Sequence, residues 1–348
     1  MILYDYLKLH RAPKIDAHMH LQGSGNLHVV SFLIHKNKLA VKKQIESDRE
    51  LFEKFAKSSR IMDFLYSDYM YIDEDSALFE YDSIQDFFLV YKFLNMFIRS
   101  QSDFILYLKG VIIKLKKQNI VHADIIVSLP ELIEQGLSIE LIISSLNKIK
   151  KNCDIGLNWW IDLVRHRGVD KAKKLLSAVV KNNIECTIYG INLGGDEKIE
   201  DLNRFKKVFK YAKKNGLRIN VHDGETQFVM NERIYKEFGI NRIGHGLNYI
   251  ENNLFLDGMI EVCLSSNYST KIIGGIYNHP IFHSTRKLDN IVICTDDGAL
   301  FKTNLARELL YVFNYYGKNG LIMVINNSMR CVDFATKESM LNWYKNNF

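Results

Sequence analysis

A short apolar run rich in β-branched residues, followed by a polar or glycine-bearing turn and a longer amphipathic stretch, recurs along this 348-residue chain. This succession of a short apolar run, a turn and an amphipathic stretch is typical of βα units. The candidate strands are residues 14–18, 121–127, 155–163, 184–191, 218–222, 242–244, 259–264 and 290–295. Eight βα units predict an α/β fold of the closed (β/α)₈ TIM-barrel type, in which catalytic residues gather at the carboxyl ends of the strands.

A long helical insertion, at about residues 27–110, separates the first two candidate strands. The chain has only three prolines and no Gly/Ser/Pro-rich linker, so we expect residues 1–348 to form one domain with this insertion as a helical lid. The aromatic side chains of the insertion are predicted to be mainly helix core, although some could roof a pocket. They are Phe64, Tyr66, Tyr69, Phe87, Phe88, Tyr91, Phe93 and Phe97.

Composition narrows the range of partners. Lysine and arginine number 46 against 40 acidic residues, which gives a net charge of +6, and the basic clusters have the spacing of solvated helix faces. We therefore expect a small-molecule partner, which could be anionic, and no nucleic-acid polymer. No apolar run of about 18 residues occurs, so no membrane partner is expected. Composition does not predict an oligomeric state.

The five cysteines are an odd number without paired spacing, which argues against a disulfide framework and favours a reducing compartment. Residues 1–13 lack the basic and then apolar regions of a signal peptide, so we predict a cytoplasmic location. Cys263 and Cys294 fall in candidate strands and are interpreted as core residues rather than nucleophiles.

Histidines and aspartates stand at four candidate strand ends. His18 and His20 are two residues apart, so both side chains point to the same side of an extended chain, although alone they could be just two polar residues at a strand end. The partners at other strand ends are His222, His245 and Asp296 with Asp297. His18, His20, His222 and Asp296 would supply three imidazoles and one carboxylate, a set that suits one divalent ion such as Zn²⁺ with a position left open for water.

Three further residues have candidate catalytic roles. Glu225 follows His222 closely and could donate a proton to a substrate ring nitrogen, or it could be a helix N-terminal carboxylate. His245 could take a proton from the attacking water, or it could be a satisfied buried histidine. Asp297 would point away from Asp296 along an extended strand, so we expect a turn to begin there; otherwise Asp297 could cap the next helix.

The order of motifs HMH, INLGGDE, HDGE, RIGHG, CLSSN and TDD resembles the adenosine deaminase family of metal-dependent barrel hydrolases, from about Pro13 to Glu308. The SIQDFF segment at Ser83 to Phe88 is also similar to the family's lid-helix motif. The resemblance implies hydrolytic attack at C6 of a purine with loss of ammonia. It also implies that His18, His20, His222 and Asp296 are the metal ligands.

The resemblance assigns further roles around the purine ring. It implies that Glu225 protonates N1, that His245 is the base or the orienter of the water, that the Gly195 backbone amide meets N3, and that Asp297 hydrogen-bonds N7. The resulting candidate substrate contacts are Gly195, Asp297, His20, Gln22, Ser266 and Asn267.

Several positions depart from the adenosine enzymes, and they put ribose or base recognition in doubt: Asp223, Gly298, Leu264, Asn192 and Ile126. The CLSSN and ICTDDG segments look closer to the branch that deaminates adenine nucleoside monophosphates, so AMP, dAMP or N6-substituted AMP is the favoured substrate. Small polar residues at the barrel mouth could bind a 5'-phosphate, or they could simply form turns. They are Gln22, Gly23, Ser24, Ser265, Ser266, Asn267 and Lys271.

Other functions remain open. The chain could be an adenosine or deoxyadenosine deaminase proper, or a related metal hydrolase that cleaves a non-purine amide or ester. A binding module that has lost activity would lack a ligand or the acid, whereas every such residue is present here.

Overall fold

The structure, a computed structural model, describes residues 2–67, 71–199, 201–227, 232–240, 242–254, 258–284, 288–331 and 337–348. Its strands are β1 (Lys14–His20), β2 (Ile120–Ser128), β3 (Gly156–Asp162), β4 (Ile188–Leu193), β5 (Arg218–Asp223), β6 (Arg242–His245), β7 (Met259–Val262) and β8 (Ile291–Ile293). They form one eight-stranded sheet in the order of the chain, and each strand pairs in parallel with the next.

The sheet closes between its first and last strands. Asp296, just beyond β8, forms a parallel bridge with Met19 of β1. Its amide donates to the His18 carbonyl at 3.1 Å, and its carbonyl accepts from the His20 amide at 3.0 Å. The predicted (β/α)₈ TIM-barrel fold is therefore confirmed, and the closure lies at the two strand ends that carry candidate metal ligands.

Helices surround the sheet and fill the insertion. They are α1 (Ile2–Arg11), α2 (Leu27–Ser47), α3 (Arg49–Phe55), α4 (Ser59–Tyr66), α5 (Ile84–Asn95), α6 (Gln101–Lys117), α7 (Leu129–Glu134), α8 (Ile139–Lys151), α9 (Val169–Asn182), α10 (Lys206–Lys214), α11 (Glu232–Phe238), α12 (Leu247–Glu251), α13 (Leu264–Ser269), α14 (Leu305–Cys331) and α15 (Lys337–Asn347). A backbone break at Gly317 divides α14. Among the helices that the structure describes, none combines the length and apolar character needed to cross a bilayer.

The insertion consists of α2 to α6 with side-chain caps at the starts of its main helices. The Ser83 hydroxyl accepts from the Asp86 amide at the start of α5, and the Ser100 hydroxyl accepts from the Asp103 amide at the start of α6, both at 3.2 Å. Such caps satisfy amide donors that have no partner within the helix.

The aromatic side chains of the insertion divide between core and surface. Phe93 and Phe97 are fully buried, as predicted, with ring centroids 5.3 Å apart. Tyr66 is instead 47% exposed, which corrects its interpretation as core. Tyr69 lies outside the described residues.

Strand boundaries differ from the predicted ones where local polar contacts intervene. β4 begins at Ile188 rather than at residue 184, because the Asn183 side chain binds the Ile188 amide at 2.8 Å and Cys186 has a φ of 50°. β7 ends at Val262, and Leu264 already begins α13. β1 extends to His20, which places both histidines of the HMH motif inside the strand.

Candidate active site

Four strand ends bring their histidines and aspartates together at one rim of the barrel. The ring centroids of His18 and His222 are 4.7 Å apart, and those of His20 and His222 are 5.3 Å apart. Asp296 Oδ1 lies 3.3 Å from His20 Nε2 and 3.8 Å from His18 Nε2. Ligand atoms within 4.8 Å of one another form three overlapping groups: His18, His20 and His222; His18, His245 and Asp296; His20, Asp296 and Asp297.

Backbone geometry at the strand ends turns these side chains inward. His245 has a φ of 62° and Asp296 a φ of 59°, which are left-handed conformations that Asp and His tolerate better than most residues. Such conformations cost free energy and cluster at functional sites. The turn expected at Asp297 therefore begins one residue earlier, and it places Asp297 beside Asp296 on the same side of the rim.

Gly244 leaves the space into which the histidine rings fit. A Cβ atom at this position would lie 2.8 Å from His222 Cδ2 and 3.0 Å from His18 Cε1. Both rings are buried, so neither can move away cheaply. The glycine of the RIGHG motif is thus a packing requirement of the histidine cluster.

A buried carboxylate fixes the orientation of His18. The Nδ1 atom of His18 lies 2.5 Å from Glu261 Oε2, which also accepts from the Asn220 amide at 2.8 Å. Arg242 Nε donates to the other Glu261 oxygen at 2.5 Å. A proton on Nδ1 directs the free lone pair of His18 Nε2 into the cluster, as carboxylates behind metal-binding histidines commonly do.

The protonation states suit a divalent cation. Burial lowers the pKa of His20 to about 3 and that of His222 well below its ordinary value, so both rings are neutral. Burial opposes ionisation of Asp296, but His245, His20 and His18 outweigh it and lower its pKa. Within the part of the chain that the structure describes, the buried Nε2 atoms of His18 and His222 have no hydrogen-bond partner. For His20 and His222, the neutral imidazole beside the Asp296 carboxylate is the donor form that a metal ion requires. For His18, burial opposes the charged form, but Glu261 and Asp296 outweigh it and raise the pKa.

Glu225 lies beside this group with its carboxyl group buried. Burial, then the charges of Glu197 and Asp296, raise its pKa well above the ordinary value, which favours the protonated form. The Asn267 amide donates to Glu225 Oε1 at 2.9 Å. A protonated carboxyl held in place is a suitable proton donor.

Glu197 holds the backbone of the segment that carries Glu225. Its oxygens accept from the amides of Glu225 at 3.2 Å, Thr226 at 2.8 Å and Gln227 at 2.9 Å. Glu197 is itself buried, and its negative charge is among the causes of the raised Glu225 pKa. One side chain therefore both shapes the loop and favours the protonated acid.

His245 and Asp297 also lie in the inner group. Burial lowers the pKa of His245, so its ring is neutral at neutral pH and has one nitrogen able to accept a proton. His245 Nδ1 lies 3.2 Å from the Asn267 amide and 3.3 Å from Glu225 Oε1. Burial and then the Asp296 charge raise the Asp297 pKa, and the buried Oδ1 atom of Asp297 has no partner among the described residues.

A cavity of about 720 Å³ extends outward from these groups. Its inner wall includes His20, His222, Glu225, His245, Ser266, Asp296 and Asp297. Gly195 lines the same cavity with a φ of 91°, and a Cβ atom there would lie 2.7 Å from His166 Nδ1, so only glycine suits this position. Helix α5 contributes Phe87, Phe88 and Tyr91, so part of the insertion does roof the pocket.

Two candidate substrate contacts lie elsewhere than expected. The Gln22 amide group is bonded in both directions to the backbone of Ser128, at 2.7 and 3.1 Å, and its side chain lines a separate small cavity. Asn267 is fully buried and holds Glu225 and His245. Both polar atoms of the Gln22 amide group and the amide nitrogen of Asn267 are thus engaged within the protein, whereas Asn267 Oδ1 has no hydrogen-bond partner among the described residues. A substrate contact by either residue stays a prediction. Ser266 does line the cavity, but its hydroxyl donates to Asp296 Oδ2 at 2.7 Å.

Among the other predicted phosphate contacts, the hydroxyl groups of Ser24 and Ser265 are likewise hydrogen-bonded within the protein. The Ser24 hydroxyl donates to the Asp296 carbonyl at 3.2 Å, and the Ser265 hydroxyl donates to Thr303 at 3.2 Å. Gly23 packs against the Asp297 carboxyl group. Lys271 lies over the Tyr268 ring, 5.6 Å from its centroid. The hydroxyl groups of Ser24 and Ser265 therefore already have partners within the protein, and an anion site at these residues stays a prediction.

Two of the departures from the adenosine enzymes take part in buried networks. Asp223 accepts from Tyr249 at 2.6 Å and from Tyr235, and it lies 3.9 Å from Arg165. The Asn192 amide donates to Asp162 at 3.0 Å, and Asp162 lines the cavity.

Sequence reasoning missed Glu261 and Glu197. Glu261 had a visible signal, since it is the one charged residue in the apolar run MIEVC of β7. Glu197 lies within the GGDE motif, but its bonds to residues 225–227 join segments 28 to 30 positions apart, which no local pattern indicates.

Comparisons with known proteins bear on this site. The family model described as adenosine deaminase matches residues 71–341. An adenosine deaminase of Clostridium perfringens is 29% identical over 203 residues, which are 55% of this chain and 61% of that protein. The alignment thus spans less than two thirds of the length of that relative.

Two solved structures have the same fold. An adenine deaminase from Arthrobacter aurescens has a TM-score of 0.77 at 17% identity and covers 96% of this chain and 98% of its own. The apo N6-methyl-AMP deaminase from Arabidopsis thaliana has a TM-score of 0.71 at 18% identity and covers 98% of each chain.

Proposed function

Because the chain belongs to the adenosine deaminase family, we propose that it hydrolyses the C6–N6 bond of an adenine ring carried by a nucleoside or, preferably, a nucleoside 5'-monophosphate. The products are the inosine-type compound and ammonia, or an amine if N6 is substituted. AMP, dAMP and N6-substituted AMP are the favoured substrates, and adenosine or deoxyadenosine is the alternative.

The observation that carries the proposal is the position of Glu225. A carboxyl group whose raised pKa favours the protonated form lines the same cavity as the neutral imidazoles of His20 and His222 and the carboxylate of Asp296. This pairing suits hydrolysis of an amidine, since the ring nitrogen must gain a proton while water adds to the adjacent carbon. An acyclic amide or ester substrate has no ring nitrogen that an acid beside the metal site would protonate.

We assign the metal-binding role to His18, His20, His222 and Asp296, with Zn²⁺ as the proposed ion. When bound, such an ion would acidify water toward neutral pH and so supply the nucleophile. Glu261 orients His18, and the Ser266 hydroxyl holds one oxygen of Asp296 at 2.7 Å.

The protein side chains then manage the protons and the ring. Glu225 donates its proton to N1, which makes C6 more electrophilic. His245 accepts the proton of the attacking water, and the Gly195 amide and Asp297 fix N3 and N7. The amino group leaves from the tetrahedral carbon as ammonia after His245 returns its proton to it, and the C6 hydroxyl proton passes to Glu225 as the carbonyl forms. Phe87, Phe88 and Tyr91 of α5 help to exclude bulk water from the cavity.

The cavity favours a substrate larger than a free base. Its volume of about 720 Å³ falls in the range of roughly 300–1,000 Å³ that accommodates drug-sized ligands. The two solved structures are an adenine deaminase and an N6-methyl-AMP deaminase, so fold likeness selects neither substrate.

A substrate panel tests the proposal. Ammonia or methylamine release is measured with zinc-supplemented protein and adenine, adenosine, deoxyadenosine, AMP, dAMP and N6-methyl-AMP. We expect the highest kcat/KM with a 5'-monophosphate. Equal or better turnover of the free nucleosides would support adenosine deaminase proper, and no release from any compound would refute deamination.

A further inference from the structure

The outer part of the catalytic cavity carries a group of cations. Lys54 and Lys57 come from the end of α3 and the turn after it, Lys92 from α5, Arg167 from the 3₁₀ turn Arg165–Arg167, and Lys171 from α9. Apart from the inner carboxyl groups already described, the carboxylates that line the cavity are Glu50, Glu131, Glu134 and Asp196. The outer part therefore has one more cation than carboxylates.

The cations are held close together rather than spread over the surface. Glu131 and Glu134 bind the two ends of the Arg167 guanidinium at 2.8 and 2.5 Å, and Lys92 lies 3.4 Å from Glu134. These ion pairs fix the positions of Arg167 and Lys92 at the cavity wall. A fixed guanidinium loses less conformational freedom when it binds an anion than a mobile one does.

Among the described residues of the cavity, Lys54 is one of three lysines without an ion pair to a carboxylate, together with Lys57 and Lys171. In the part of the chain that the structure describes, it makes no hydrogen bond or ion pair. Partial burial, then the charges of Lys92 and Arg167, lower its pKa, and Glu134 and Glu50 only partly oppose them. An anion bound between Lys54, Lys92 and Arg167 would relieve their mutual repulsion.

We propose that Lys54, Lys92 and Arg167 form the subsite for the 5'-phosphate of the substrate. This inference rests on the proposed function and names the residues that select a nucleotide over a nucleoside. The adenine ring lies against Glu225 and Asp297, the aromatic side chains of α5 flank the middle of the cavity, and the phosphate lies at the outer, cationic end. Two of the three cations belong to the insertion, so phosphate binding also holds α3 and α5 over the substrate.

Binding of reaction products tests the subsite without turnover. Inosine and inosine 5'-monophosphate differ only in the phosphate, and isothermal titration of the zinc-loaded protein gives the Kd of each. We expect the wild-type protein to bind the monophosphate at least about tenfold more tightly, as charge-assisted hydrogen bonds to a phosphate provide. In Lys54→Gln and Lys92→Gln this ratio should fall severalfold, and in the double variant it should approach one.

The matched control is Lys174→Gln, which removes an exposed lysine of α9 that does not line the cavity. This variant should keep the wild-type ratio. The proposed subsite would be overturned if the double variant of Lys54 and Lys92 also kept the wild-type ratio. Equal binding of inosine and its monophosphate by the wild-type protein would overturn it as well. Failure of the proposed function is a separate result, in which neither product binds and no adenine compound is deaminated.

Discussion

The Glu225 carboxyl group must hold a proton for the proposed reaction, and its surroundings favour that form. Glu225→Gln keeps the size and the contact with Asn267 but cannot deliver a proton. We expect this variant to bind metal and product normally and to lose roughly 10²-fold or more in kcat, since a positioned proton donor contributes that much. Steady-state kinetics with metal analysis decides the point; a variant that keeps most of the wild-type rate would show that Glu225 is structural.

The effect of Glu197 on the pKa of Glu225 can be tested through the pH dependence of activity. Its negative charge helps to raise the pKa of Glu225, so Glu197→Gln should lower that pKa. Because the protonated form is active, the alkaline limb of the kcat/KM profile should then move to lower pH. Asp296, Asp297 and His245 also face Glu225 and are unchanged in the variant.

The control for this profile is Asp201→Asn, which removes an exposed carboxylate from the cap of a nearby 3₁₀ turn. It should leave the alkaline limb in place. A Glu197→Gln enzyme that loses rate uniformly at every pH would limit Glu197 to holding the backbone of residues 225–227.

Among the elements, β6 makes the most restrictive packing demand. Gly244→Ala places a methyl group against His222 and His18, at 2.8 and 3.0 Å, so we expect weaker metal binding and lower activity. Overpacking of this kind costs about 1–3 kcal/mol. Metal affinity by chelator competition measures the effect. Gly274→Ala is the matched control, because a Cβ atom there meets nothing within 4 Å. Equal metal affinity in the two variants would contradict the packing argument.

The strands show which features of the fold could be predicted from the sequence. Short apolar runs between turns and amphipathic stretches predicted all eight strands, because the strands of a parallel barrel are buried along nearly their whole length. It misplaced the start of β4 and the end of β7, where an Asn183 side-chain bond and an early helix start decide the boundary. Convergence of His18, His222 and Asp296 followed from barrel topology, since parallel strands share one catalytic rim.

Substrate contacts were less predictable because they depend on side-chain partners. Gln22 carries a suitable amide group near a strand end, yet the backbone of Ser128 occupies both of its polar atoms. The Asn267 amide nitrogen faces Glu225 and His245, which leaves only Oδ1 without a partner among the described residues. The three cations of the proposed phosphate subsite, Lys54, Lys92 and Arg167, come from two helices of the insertion and the 3₁₀ turn after β3, whose relative positions no single motif encodes.

At the scale of the whole molecule, the proposed metal ligands come from β1, β5 and the end of β8, far apart in sequence. The barrel has an extensive apolar core of its own, so the metal should not be required for folding. His222→Ala and Asp296→Ala should therefore abolish stoichiometric metal binding while far-UV circular dichroism stays unchanged. One bound ion in both variants would refute the assigned ligands.

A cytoplasmic location and the absence of a nucleic-acid partner stay predictions from composition.

The central claim is that a metal bound at this rim supports deamination of an adenine compound. Its most direct test is ammonia release from AMP by one preparation in three states: as purified with zinc, after removal of the metal by a chelator, and after zinc is restored. We predict ammonia release in the first and third states and loss of most or all of that activity in the second. The claim would be contradicted if the metal-free protein still released ammonia. It would also be contradicted if protein with a full complement of zinc released no ammonia from any adenine compound tried.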